Sequence, residues 1–174
     1  MTRWVLLLRA VNLGPRNKLA MADLRRVLTD LGYGDVTTYL NSGNATFTSN
    51  KRSAAALAAE VERALAGQLG LTVRVCVRTT DDIAAAVAAV PADLEGYVVV
   101  TALFDKPETA ALQAVLDRDW SPDAVRGNEQ WLYLCFPPKT MHSSKLQNSL
   151  LERLLGVRCT GRTPQTLHKI LAAS

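Results

Sequence analysis

Val36-Thr37-Thr38-Tyr39-Leu40-Asn41-Ser42-Gly43-Asn44-Ala45-Thr46-Phe47-Thr48 reads as two short strands around a tight turn. The flanking runs are β-branched and aromatic, and Asn41-Ser42-Gly43-Asn44 suits positive backbone angles, so the stretch predicts a β-hairpin. Upstream, Met21, Leu24, Val27, Leu28 and Leu31 recur at helical spacing until Gly32 and Gly34 end the run. Downstream, Ser53 caps a helix whose apolar face is Leu57, Val61, Ala64, Leu65 and Leu69, with Gly70 as its stop. A strand at 3–9 precedes this group. Another at Thr72–Thr79 follows it, with Val73, Val75 and Val77 inward and Arg74, Cys76 and Arg78 on the other face. A hairpin between two helices, with a strand at each end, is a βαββαβ unit.

The same order recurs after a short helix at Asp81–Val90 and Pro91. Tyr97–Phe104 is a strand. Asp105-Lys106-Pro107-Glu108 then reads as a capping box with proline in the first turn of a helix carrying Leu112, Val115 and Leu116. Gly127-Asn128-Glu129 joins a weak strand at Asp123–Arg126 to the strong strand Gln130–Phe136. Ser144 and Gln147 form a Ser-x-x-Gln cap for a helix with Leu146, Leu150, Leu151, Leu154 and Leu155 apolar and Gly156 at its C-terminus. A strand at Val157–Thr160 and a helix opened by Thr163-Pro164, carrying Leu167, Ile170 and Leu171, complete the chain. The fold class is α+β, as two ferredoxin-like βαββαβ units in tandem. The expected boundaries are 1–80 for the first unit, 81–96 for a linker helix, and 97–174 for the second unit with its C-terminal helix. The halves share element order and no residue-level repeat.

Composition narrows the class further. A hydrophobic share of 48% over 174 residues excludes disorder and is enough for a sizeable core. The apolar run Trp4–Leu8 between Arg3 and Arg9 is too short for a signal-peptide core, and no run approaches a membrane span. Cys76, Cys135 and Cys159 are odd in number and lie in or beside strand-like segments, so they read as buried, reduced thiols in a cytoplasmic protein. The net charge of +4 hides an asymmetry. Residues 1–80 carry 11 Lys+Arg against 5 Asp+Glu, residues 81–126 carry 3 against 9, and residues 127–174 carry 6 against 2. Such a pattern can steer an anion, or pair the acidic face of one copy with the basic face of another in a homodimer.

Two basic loops are the candidate sites. Arg9-Ala10-Val11-Asn12-Leu13-Gly14-Pro15-Arg16-Asn17-Lys18 is long for a strand-to-helix connection and carries Arg9, Asn12, Arg16 and Lys18 toward a helix N-terminus, where unpaired N–H groups suit a phosphate or carboxylate. Lys139, Ser143, Ser144 and Lys145 precede the Leu-rich helix in the same way, and Arg162, just past the last strand, is a weaker candidate. The bland alternatives are a solvated loop for the first and a serine cap for the second. The turn at 41–44 is read as structural and is expected at the opposite sheet edge from loop 10–18. Asp117, Asp119 and Asp123 around Trp120 are expected to face solvent.

The chemistry of other classes is poorly represented. There is no G-x-x-x-x-G-K-[ST] or G-x-G-x-x-G phosphate loop. His142 and His168 lie far apart, with neither C-x-x-C nor H-E-x-x-H, so no metal site and no cofactor is expected; no catalytic set can be named, and a transferase or hydrolase activity is left open. The expected function is binding of a small anionic ligand, a nucleotide or phosphorylated metabolite, through the basic loops. The rivals are a single-stranded nucleic-acid module, for which aromatics at 6% make a poor platform, and a protein-interaction or structural role.

Leu7-Leu8-Arg9-Ala10-Val11-Asn12-Leu13-Gly14, Met21-Ala22-Asp23-Leu24-Arg25 and Thr38-Tyr39-Leu40-Asn41-Ser42-Gly43-Asn44-Ala45-Thr46-Phe47 together resemble the bacterial family called domain of unknown function 1697. Ser144-Lys145-Leu146, Leu151-Glu152 and Thr160-Gly161-Arg162 are similar to its second motif region. Ala10 and Pro15 stand where the family suggests glycines, and Thr163-Pro164 where it suggests an Asn-aromatic pair. The resemblance supports the fold and implies no particular activity.

Overall fold

The computed structural model describes residues 1–174 and divides them into two units. The first comprises Met1–Ala85 with His168–Ser174, and the second Ala86–Leu167. In the first, strands β1 (Thr2–Leu8), β2 (Gly34–Tyr39), β3 (Asn44–Ser49) and β4 (Val75–Thr79) form an antiparallel sheet in the order β2-β3-β1-β4. Helices α1 (Met21–Asp30) and α2 (Ala54–Leu69) lie in the two crossovers. The predicted hairpin pairs Thr38 with Ala45 and Tyr39 with Asn44. Leu24, Val27 and Leu28 of α1 and Leu57, Val61 and Leu65 of α2 bury against Trp4, Leu6, Leu8, Phe47, Val75 and Val77. Ser53 Oγ accepts the Ala56 N–H, and Gly70 closes α2 at φ +65°, as the sequence pattern requires.

The alternation expected in β4 holds only in part. Val73, Val75 and Val77 enter the core, yet Cys76 on the opposite face is also buried, together with Val5, Leu7, Asn44 and Thr46. Both faces of this sheet are therefore removed from water at its centre, which explains the continuously apolar β1.

In the second unit, β5 (Tyr97–Leu103), β6 (Ala124–Gly127), β7 (Trp131–Phe136) and β8 (Cys159–Arg162) form a sheet in the order β6-β7-β5-β8. Helices α4 (Thr109–Asp117) and α5 (Asn148–Leu155) cover Leu103, Val125, Leu132, Leu134 and Phe136. Helices α3 (Thr80–Ala88) and α6 (Pro164–Ala172) each divide between the units. Thr163 Oγ1 accepts the Thr166 N–H at 3.1 Å and caps α6.

Several boundaries differ from expectation, among them that of β4, which begins at Val75 and not Thr72, and three have an identifiable cause. The capping box at 105–108 does not form: α4 starts at Thr109, after Pro107 is buried and Lys106 turns to Glu129 at 2.6 Å. The last strand runs Cys159–Arg162, because Glu152 accepts the Cys159 N–H at 3.0 Å and Cys159 pairs with Leu103. Helix α5 starts only at Asn148, so Ser144 is not its cap. All three cysteines are buried and none is in a disulfide, and no helix is long and apolar enough to cross a membrane.

Candidate functional site

The order β2-β3-β1-β4 decides what meets at one end of the first sheet. Strand β3 runs antiparallel to both β1 and β2, so β1 and β2 point the same way and end together. The β1–α1 loop and the 41–44 turn are thus neighbours, which corrects the expectation that they lie at opposite edges. Leu8 N–H donates to Gly43 O at 2.8 Å, and Arg9 N–H to Arg74 O at 3.1 Å. Gly43, at φ +81°, is wedged so closely that a β-carbon there would sit 2.7 Å from Val11 Cγ2 and 2.8 Å from Leu8 Cβ.

Asn12 organises the loop. Its Nδ2 donates to Leu19 O at 2.9 Å and to Asn41 O at 2.6 Å, and its Oδ1 accepts Leu19 N–H at 2.9 Å. Its own N–H donates to Asn17 O at 3.1 Å. Asn12 has φ +55°, a conformation asparagine tolerates, whereas Ala10 at φ +56° occupies a position better suited to glycine. This arrangement leaves an open cleft of about 540 Å³ lined by Asn12, Gly14, Lys18, Leu19, Ala20, Met21 and Asn41. The cleft abuts the start of α1, where Ala20 at the N-cap offers no side-chain hydrogen bond. Of the predicted residues in this loop, Asn12 and Lys18 line the cleft. Arg9 and Arg16 do not.

The second unit holds another cleft, of about 430 Å³. Arg118, Asp119, Trp120, Asp123, Ser143, Ser144 and Lys145 are among its lining residues. Here Asp123 is partly buried and not simply solvated. Ser144 Oγ donates to its Oδ2 at 2.5 Å and accepts the Leu146 N–H at 2.9 Å, while its Oδ1 is buried without a partner. Burial, and then the charge of Asp123, raise the thiol of Cys135 above its ordinary range. The Ser121 hydroxyl, and then its backbone N–H, hold exposed Asp119 below the usual carboxylate range. Arg118 lies over the Trp120 ring at 4.6 Å, and Ser143 Oγ donates to Thr140 O. Lys139, exposed at φ +69°, stands outside this cleft.

Arg162 lies within β8, and its Nη1 donates to Thr160 Oγ1 at 2.9 Å and Gly161 O at 2.8 Å. Six of the nine predicted residues therefore fall into three places, namely Asn12 with Lys18, Ser143 and Ser144 with Lys145, and Arg162 on its own strand, while Arg9, Arg16 and Lys139 line neither cleft. Sequence reasoning missed Asn41 as a clasp and Arg118, Trp120 and Asp123 as cleft residues. Asp123 and Ser144 are 21 positions apart, and no local pattern links them. No group of three or more His, Cys, Asp or Glu side chains is placed to hold a metal ion.

The conserved bacterial protein SP0830 from Streptococcus pneumoniae has a similar structure, with a TM-score of 0.76 and 26% identity across 99% of this chain and 98% of that one. No curated protein sequence matches. A family model described as protein of unknown function (DUF1697) matches residues 1–133, a stretch that contains the Asn12 loop and the 41–44 turn. The chain belongs to the DUF1697 family.

Proposed function

We propose that the protein binds a small anion, such as a nucleotide or phosphorylated metabolite, in the cleft at the start of α1. The observation that carries this reading is an uncapped helix N-terminus beside a cleft that is lined by Lys18 and by the hydrogen-bonded pair Asn12 and Asn41. Unpaired N–H groups and the positive end of the helix dipole favour an anion there, and Lys18 adds a point charge. The cleft of the second unit is less suited, because Asp119 and Asp123 offset Arg118 and Lys145.

We infer further that the two sheets are tandem ferredoxin-like units. Corresponding strands occupy corresponding places in the orders β2-β3-β1-β4 and β6-β7-β5-β8, which supports that reading. A sheet platform for single-stranded nucleic acid finds less support. Val5 and Leu7 of the first sheet and Val100, Ala102, Trp131 and Tyr133 of the second are buried on the faces away from α1, α2, α4 and α5. Three buried, unbridged thiols fit a reducing cytoplasm.

Titration calorimetry with inorganic phosphate and ADP tests the anion site. Wild-type protein should bind at least one of them, and Lys18→Ala should weaken binding about tenfold, the equivalent of ~1.4 kcal/mol. Equal affinity in wild type and Lys18→Ala would exclude this cleft.

A further inference from the structure

The cleft of the second unit is lined by two cations, Arg118 and Lys145, and two anions, Asp119 and Asp123, and none of the four pairs with another. Asp119 is exposed and already accepts the Ser121 N–H at 2.9 Å. Asp123 differs. It is partly buried, one oxygen accepts the Ser144 hydroxyl, and the other is buried without a partner. Buried carboxylate oxygens are nearly always hydrogen-bonded, because an oxygen removed from water without a donor carries a desolvation cost. Arg118 lies over the Trp120 ring at 4.6 Å, and that indole is itself fixed by its Nε1 donating to Val115 O at 2.8 Å. Stacking orients a guanidinium plane and leaves its N–H edge for a carboxylate, while the exposed Lys145 ammonium adds a point charge. Opposite charges that share a cavity without neutralising each other leave both signs available to a ligand.

We propose that this cleft binds a small zwitterion, a protonated amine and a carboxylate carried by one molecule, as in an amino acid or a short peptide. The amine donates to Asp123, and the carboxylate pairs with Arg118 and Lys145. A volume of about 430 Å³ is at the small end of ligand pockets, which suits one or two amino-acid residues. The site is independent of the anion cleft beside Lys18, which contains no carboxylate among its lining residues.

Titration calorimetry tests this with alanine and di-alanine, each alongside its N-acetyl form, which lacks the amine charge, and its amide, which lacks the carboxylate. Wild-type protein should bind at least one zwitterion about tenfold more tightly than either of its blocked forms, or ~1.4 kcal/mol for each lost charge. Asp123→Asn should weaken the zwitterion about tenfold and leave the N-acetyl form unchanged. Arg118→Ala/Lys145→Ala should weaken the zwitterion to the same extent and leave the amide unchanged. Both of these side chains are exposed, so the double variant keeps its fold and reads out the cleft even where Asp123→Asn does not fold, which circular dichroism checks. Lys18→Ala should leave the affinity for the zwitterion as it is. Binding of neither zwitterion, equal affinity for the blocked forms, or an affinity unchanged in a folded cleft variant overturns the proposal. A loss confined to Lys18→Ala places the ligand in the first cleft and overturns it as well. The tighter binder of alanine and di-alanine distinguishes a free amino acid from the end of a peptide.

Discussion

Asn12 Nδ2 lies 2.6 Å from the backbone carbonyl oxygen of Asn41, joining the β1–α1 loop to the hairpin turn through one side chain. The same amide also brackets Leu19 with two further bonds. Asn12→Ala removes all three and places alanine at a positive φ that asparagine accepts more readily. The expected loss is about 2 kcal/mol in urea denaturation, at a net value of ~1 kcal/mol or somewhat less for each coupled bond. A loss below ~0.5 kcal/mol, the usual range for surface substitutions, would mean that the clasp is not formed.

Gly43 and Gly14 lie on the two segments that the clasp joins and should respond differently to alanine. At Gly43 the new β-carbon meets Val11 and Leu8 at 2.7–2.9 Å, and φ is +81°. At Gly14 nothing lies within 4 Å. Gly43→Ala should cost more than ~2 kcal/mol through combined backbone strain and overpacking, and Gly14→Ala should stay within ~0.5 kcal/mol of wild type. Equal melting temperatures for the two variants would contradict the close approach of turn and loop.

Ser144 and Asp123 form a polar pair in the wall of the second cleft. Ser144→Ala removes the donor to Asp123 Oδ2 while Oδ1 is already unpaired, so the substitution should destabilise by about 1–3 kcal/mol. Adding Asp123→Ala should recover part of that loss, because the unsatisfied group is then removed. A double-mutant cycle with a coupling energy near zero would show the pair to be energetically silent.

Tyr33, Glu60 and Lys51 should impose a pH dependence on stability. Tyr33 donates its hydroxyl to Glu60, and Lys51 Nζ lies 2.6 Å from both carboxylate oxygens. Burial, followed by the bond to Glu60 and its charge, pushes the Tyr33 hydroxyl far above its ordinary value of 10.0. Bonds from Lys51 and then Tyr33 hold Glu60 below 4.5. The lowered Glu60 contributes stability that is present above pH 4.5 and lost as the pH falls toward its folded value. The raised Tyr33 contributes stability that is present below pH 10.0 and lost as the pH rises above it. Tyr33→Phe should therefore flatten the alkaline decline and reduce the acid one. Melting curves across both limbs read this out, and an unchanged alkaline limb would remove Tyr33 as its source.

Much of the architecture was legible because it depends on near neighbours. Ser53, Gly70, Gly156 and Thr163 mark helix ends through atoms a few residues away, and all four occupy the expected capping positions. Errors arose where a distant partner competed with a local signal. Ser144 has the spacing of a helix cap, but its hydroxyl goes to Asp123 and α5 begins later. The sequence pattern puts Arg162 beyond the last strand, yet Glu152 positions Cys159 so that the strand extends through it.

Element order, the hairpin and the residues of the core follow from the sequence itself, because apolar periodicity and turn chemistry act over a few residues. The meeting of Asn12 with Asn41, and with it the cleft beside Lys18, was decided only by tertiary structure. It depends on β3 pairing with β1 across the sheet, Leu7 opposite Asn44, which makes β1 and β2 end at the same side. Strand direction and neighbour choice are properties of long-range pairing, and a local pattern carries no information about which loops those pairings will bring together.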